Sequence, residues 1–171
     1  MVGISDDTKS SSDPLAERAK RVLARCCERD LTLATAESCT GGLVAALVTD
    51  IEGCSHAFDR GYVTYSDAAK HELLGVEQDL LHQKGAVSKE AAIAMAQGAL
   101  RLSGANVAIS VTGFAGPGGE GDEEGLVHFA VAREGERPTH LERSFGAIGR
   151  DQIRQRSLET VLDLLERVLC P

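Results

Sequence analysis

The chain of 171 residues has no tryptophan, and only 4% of it is aromatic. That leaves little material for base-stacking platforms or for the aromatic anchors that dominate large interfaces. Basic residues are in deficit as well: 18 Lys and Arg stand against 26 Asp and Glu, a net charge of −8. Such a balance argues against binding a nucleic-acid backbone, and no nucleic-acid partner is expected. No apolar run is long enough to cross a bilayer, so no membrane partner is expected either. The five cysteines, Cys26, Cys27, Cys39, Cys54 and Cys170, are odd in number and lack CxxC spacing or a histidine at metal-ligand distance. Reduced thiols and a cytoplasmic setting follow. Met1 to Ser12 carries acids and serines where a secretory signal needs basic and then apolar residues.

What is present suits one packed domain, since such units usually hold roughly 100 to 200 residues. Residues 1–13 read as a flexible tail, because their polar composition cannot bury enough surface to offset ordering. Residues 14–171 read as the domain. Pro14 opens a helix that Asp13 can cap, with Leu15, Ala19, Val22, Leu23 and Cys26 at helical spacing. Leu31 to Ala36 is a β-capable run broken by Glu37. Thr40-Gly41-Gly42 then leads into a helix with Leu43, Val44, Leu47 and Val48.

Gly61 to Tyr65 offers a second strand, and Ser66-Asp67 can cap a helix that has Lys70 just inside it. Val76 to Lys84 is a short helix or turn, and Ser88 caps an alanine-rich helix reaching Leu102. Asn106 to Thr112 is a strand covered on both faces. Leu126 to Arg133 and Thr139 to Phe145 are strands expected to pair antiparallel, and Arg150 to Leu169 is a closing amphipathic helix. The sum is an α/β fold, three-layer α/β/α, with a mixed, mostly parallel sheet. In such sheets ligands settle beyond the carboxyl ends of the strands, where loops at Glu37, Tyr65 and Gly113 would converge.

Three stretches could carry chemistry. In Glu37-Ser38-Cys39-Thr40-Gly41-Gly42 a hydroxyl and several N–H groups sit between a strand end and a helix start, which suits a serine nucleophile with an oxyanion or phosphate cradle. The same residues also suit a plain helix cap and tight turn. The histidines at 56, 71, 82, 128 and 140 form no Ser-His-Asp signature, so the base falls to Lys70 if burial lowers its pKa, with Tyr62 and Tyr65 nearby. Lys70 as a solvated helix residue is the plainer alternative. Cys39 is a rival nucleophile that reads better as a small packed residue. Thr112-Gly113-Phe114-Ala115-Gly116-Pro117-Gly118-Gly119 is either an anion cradle or a surface connection; Asp122, Glu123 and Glu124 read as a solvated acidic tip.

Four ordered segments resemble the CinA C-terminal domain family: Ala36 to Gly42, Gly61 to Lys70, Gly85-Ala86-Val87-Ser88, and Val111 to Gly119. The resemblance runs from about Leu15 to Leu169. It implies hydrolysis of the carboxamide of nicotinamide mononucleotide to nicotinate mononucleotide and ammonia, by a Ser-Lys amidase needing no metal or other cofactor. Ser38 would be the nucleophile, Lys70 the general base and Tyr65 a supporting hydroxyl. Thr40, Gly41 and Gly42 would offer amides to the oxyanion or phosphate, Thr112, Gly113 and Gly116 would shape the nucleotide pocket, and Arg150 would contact phosphate. A homodimer is implied as well. Many relatives have Lys-Pro-Val-Gly where this chain has Asp122-Glu123-Glu124-Gly125, and acids there would repel a phosphate. A catalytically weak nucleotide-binding or regulatory module is therefore the alternative.

Overall fold

The computed structural model describes residues 13–119 and 121–169. The expected tail therefore lies outside the described residues except for Asp13, and so does Cys170. Among the described residues, six α-helices and five strands follow in the order α1 (Pro14–Glu28), β1 (Leu33–Glu37), α2 (Leu43–Thr49), β2 (Phe58–Val63), α3 (Asp67–Leu74), α4 (Gln78–Lys84), α5 (Lys89–Leu102), β3 (Val107–Gly113), β4 (Leu126–Arg133), β5 (Thr139–Ser144) and α6 (Arg150–Leu169). The sheet order is β2-β1-β3-β4-β5. β1 pairs parallel with both β2 and β3, while β4 is antiparallel to both β3 and β5.

Side-chain size along the strands sorts the two faces. Leu33, Val107, Ile109, Val111, Val127, Phe129 and Val131 pack with α1, α2 and α6 in one core. Their alternate neighbours Ala34, Ala36 and Ala108 pack with α3, α4 and α5 in a second, and Ala130 and Ala132 meet Ala92 and Ala96 of α5 in a third. A period of two along each strand sends successive side chains to opposite faces, and alanine on the second face lets α5 lie close. The closeness is measurable at Gly98 of α5, where a Cβ would stand 2.1 Å from the carbonyl oxygen of Leu74.

Strand bounds depart from the predicted ones by a single residue at β3 and β5 and by more at β1 and β2. β1 keeps Glu37 as its last residue, because the carboxylate is buried and fully used rather than solvated. β2 covers Phe58–Val63 instead of Gly61 to Tyr65. It is an edge strand, so Asp59 and Arg60 can face water and look like loop in sequence. The caps are as expected: Asp13 accepts from the N–H of Leu15, Ser66 from that of Ala69 and Ser88 from that of Ala91.

Candidate active site

β1 and β3 run side by side and end together, so the turns after Glu37 and Gly113 open on the same side of the sheet. The segment after β2 joins them, and the three enclose a crevice of about 200 Å³ that includes Ser38, Tyr65, Lys70, Thr112, Gly113 and Arg150. This is the convergence expected of an open α/β sheet at its strand ends.

Ser38 follows β1 directly. Its backbone N–H donates to the carbonyl of Val111 (2.9 Å) and its carbonyl accepts from Gly41 (3.1 Å), which fixes both sides of the residue. Alternation places Glu37 and Ser38 on opposite faces. The Glu37 carboxylate, 1% exposed, accepts from the N–H groups of Gly42 and Val44 (both 3.0 Å) and Ala45 (2.9 Å). It thereby caps α2, whose own cap residue, Gly42, has no side chain and sits at φ +97°.

Lys70 comes from α3. The serine cap and the left-handed Gly75 at its two ends hold this helix as a two-turn unit over the end of β1. Lys70 is 1% exposed, and its Nζ donates to the carbonyl of Thr64 (3.0 Å) and to Ser38 Oγ (3.3 Å). Two neutral oxygens suit an uncharged amine, which has two N–H groups and a lone pair, better than an ammonium ion. Burial pushes the Lys70 pKa down from the ordinary lysine value, with Asp67 and Cys39 pulling weakly the other way. Cys39 is itself buried, and desolvation pushes its thiol up to about 12. A protonated thiol is a poor nucleophile, so Cys39 is a packed residue here.

Tyr65 is 64% exposed at the crevice mouth. Its hydroxyl accepts from Arg150 Nη2 (2.9 Å), so its hydrogen-bond partner is the arginine and neither Ser38 nor Lys70. Thr112 lines the crevice while donating its hydroxyl to the carbonyl of Ala86 (2.8 Å). At Gly113 a Cβ would meet the carbonyl oxygen of Leu126 at 2.7 Å, so glycine is required by the approach of β4.

The remaining expected residues lie behind or beside the crevice. Thr40 is fully buried, and the amides of Gly41 and Gly42 are committed to Ser38 and Glu37, so the glycine pair shapes the turn and offers no free N–H to a ligand. The amides of Cys39 and Thr40 lie against the Cys39 thiol, where they oppose the upward push of burial on its pKa. Gly116 lies beside Arg150, with a Cβ position 3.9 Å from Nη1.

Asp122 turns back to accept from Gly119 N (2.7 Å), filling the glycine loop with the chain's own carboxylate. Glu123 accepts from the hydroxyl of Ser144. Neither acid lines the crevice. Among the described residues no group of three or more His, Cys, Asp or Glu is placed to hold a metal ion, and no helix is long and apolar enough to cross a membrane.

Sequence reasoning missed two residues at this site. One is Glu37 as the cap of α2. The other is Arg154 of α6, whose Nη2 donates to the carbonyl of Thr40 (2.7 Å) from behind the turn. The first had a signal in the absence of any capping side chain at Gly42. The second had one in its spacing, four residues beyond Arg150 and so on the same helix face.

An α/β sheet with a serine and a buried lysine at its strand ends defines a class, and comparison with known proteins narrows it. The CinA C-terminal domain model matches residues 15–169, and the chain belongs to that family. A CinA-like protein of Akkermansia muciniphila is 46% identical over 157 residues, covering 86% of this chain and 37% of that protein. The nicotinamide-nucleotide amidohydrolase PncC of Enterobacter agglomerans is 49% identical over 133 residues, 74% of this chain and 80% of that protein. The crystal structure of the competence/damage inducible protein CihA of Agrobacterium tumefaciens superposes with a TM-score of 0.89 at 42% identity, covering 94% of this chain and 98% of that one. The chain spans well under half the length of the CinA-like relatives, between 34% and 37% for those of Geobacter sulfurreducens and A. muciniphila.

Proposed function

We propose that this domain is an amidohydrolase that converts nicotinamide mononucleotide to nicotinate mononucleotide and ammonia. The observation that carries the reading is the buried Lys70 amine at 3.3 Å from Ser38 Oγ. Likeness to PncC of E. agglomerans supports the choice of amide.

In this reading Lys70, uncharged, accepts the Ser38 proton as Oγ bonds to the carboxamide carbon. Lys70 returns the proton to the departing nitrogen, which leaves as ammonia. Water, deprotonated by the same amine, then breaks the ester to free the nicotinate carboxylate and restore Ser38. The Arg150 guanidinium, held at the mouth by Tyr65, is the cation for the substrate phosphate. Thr112 and Gly113 form the wall between.

A binding module without catalysis is less well supported, because the acids that suggested it, Asp122 and Glu123, take local partners outside the crevice. A cytoplasmic homodimer belongs to the same reading. Cys26, Cys27, Cys39 and Cys54 are free thiols, which fits the compartment, and sedimentation of the purified chain tests the dimer. The deciding experiment measures ammonia released from nicotinamide mononucleotide by the purified protein and by Ser38→Ala. Release by the first and not by the second supports the reading; calorimetric binding with no release by either would favour the module.

A further inference from the structure

We infer that Glu37 and Arg154 are positioning residues that grip the Ser38 turn from two sides and aim its hydroxyl at Lys70; the inference rests on reading Ser38 as the nucleophile. The turn needs such a grip. Gly41 and Gly42 sit at φ +62° and +97°, and glycine gives a backbone more freedom than any other residue. Left to itself, the Ser38-to-Gly42 stretch has many conformations open to it, whereas Oγ must stay within reach of one buried amine.

Glu37 supplies the first grip. Its three bonds to Gly42, Val44 and Ala45 run back across the turn, closing a ring of covalent and hydrogen bonds that has Ser38 inside it. An ordinary N-cap would satisfy α2 locally, without linking the helix to the residue before the serine. Here the helix start is tied to the strand end, so α2, β1 and Ser38 move as one body. By strand alternation the carboxylate lies on the face of the sheet opposite Ser38, with α2.

Arg154 supplies the second. It approaches from α6, and its Nη2 bonds to Thr40 O at 2.7 Å and stands 3.1 Å from where a Cβ of Gly41 would be. The guanidinium thus fills the space that a side chain at residue 41 would need. One helical turn earlier, Arg150 bonds Tyr65 at the mouth. A single helix face of α6 therefore sets both the rear of the nucleophile turn and the rim of the crevice.

The test compares Glu37→Gln, Arg154→Met and Arg154→Lys with wild type and Ser38→Ala, using ammonia release from nicotinamide mononucleotide. In Glu37→Gln the side-chain amide retains one acceptor oxygen and turns an N–H donor toward backbone N–H groups. Methionine in place of Arg154 leaves Thr40 O with only its bond from the N–H of Leu43 (3.2 Å), whereas lysine can still donate to it from α6. For folded Glu37→Gln and Arg154→Met, kcat should fall by about 10- to 100-fold, with KM held within about twofold. Arg154→Lys should recover part of that loss.

Folded variants with unchanged kcat, or equal losses in Arg154→Met and Arg154→Lys, would overturn the inference, leaving only a cap and a packing contact. If Glu37→Gln does not fold, the two Arg154 variants decide. If wild type does not hydrolyse this amide, sulfonylation of Ser38 by phenylmethylsulfonyl fluoride, read by mass spectrometry, replaces turnover; slower labelling in the variants is the expected result and equal labelling the overturning one. A Ser38 that is neither needed for turnover nor labelled removes the nucleophile, and the inference with it.

Discussion

Lys70 Nζ stands 3.3 Å from Ser38 Oγ, across 32 positions of sequence, with the carbonyl of Thr64 as its other partner. Loss of either member of this pair should remove the same chemistry. Lys70→Met keeps the length and apolar stem of the side chain without the amine, so it should fold at least as well as wild type. Its ammonia release should drop by about 100- to 10,000-fold, the range for a positioned acid–base group. The Ser38→Ala/Lys70→Met double variant should be little worse than the more damaged single one, because the two groups act as a unit. Losses that multiply would mean they do not.

Activity should rise with pH through the depressed Lys70 pKa, since the amine acts as a base only when uncharged. Asp67 is the nearby carboxylate that raises that pKa. Asp67→Asn should therefore move the acidic limb of the kcat profile to lower pH. A limb that stays put, or moves toward higher pH, would assign it to a different group.

His128 and His140 meet on the α5 side of β4 and β5, with His128 Nδ1 3.1 Å from His140 Nε2 and rings stacked at 5.4 Å. Burial lowers both pKa values; Glu142 and Glu90 oppose the shift, while His128 and Lys89 add to it at His140. The unfolded chain then binds protons that the folded one resists. Stability due to the neutral pair is complete above the ordinary histidine value of about 6.5 and is lost as pH falls below it toward the lowered values. Thermal melts between pH 5 and pH 8, values spanning about that midpoint, should show this decline. His128→Gln should flatten it.

Gly98→Ala should damage both stability and turnover. The new Cβ would stand 2.1 Å from the Leu74 carbonyl oxygen, a backbone atom at the end of α3 that cannot step aside on its own. Overpacking of this kind costs about 1–3 kcal/mol, which denaturant unfolding resolves. Because α3 carries Lys70, pushing the helix away from α5 should also lengthen the Lys70–Ser38 contact and lower kcat. A variant as stable and active as wild type would show that α3 and α5 can separate freely.

Much of the architecture is legible in the sequence. β4 and α6 have the same bounds that alternation and helical spacing predict, because Leu126–Arg133 and Arg150–Leu169 are long and each buries a continuous face. β2 departs from its predicted bounds because an edge strand does not need an apolar pattern. Ser38, Tyr65, Lys70, Thr112, Gly113 and Arg150 do share one crevice. Thr40, Gly41 and Gly42 do not open onto it, since a hydrogen-bonding turn looks the same in sequence whether its amides face a ligand or the chain's own carboxylate.

The sequence by itself determined the layers, through side-chain periods of two and about 3.6, and the turns, through glycines that alone tolerate positive φ cheaply. It also determined which residues could supply a hydroxyl, an amine and a guanidinium. Only the tertiary structure decided that Lys70 is buried, that two neutral oxygens receive it, and that Glu37 and Arg154 brace the serine's turn. Those are long-range facts: a lysine's charge state and a serine's aim depend on what distant segments place around them, and no local pattern encodes that.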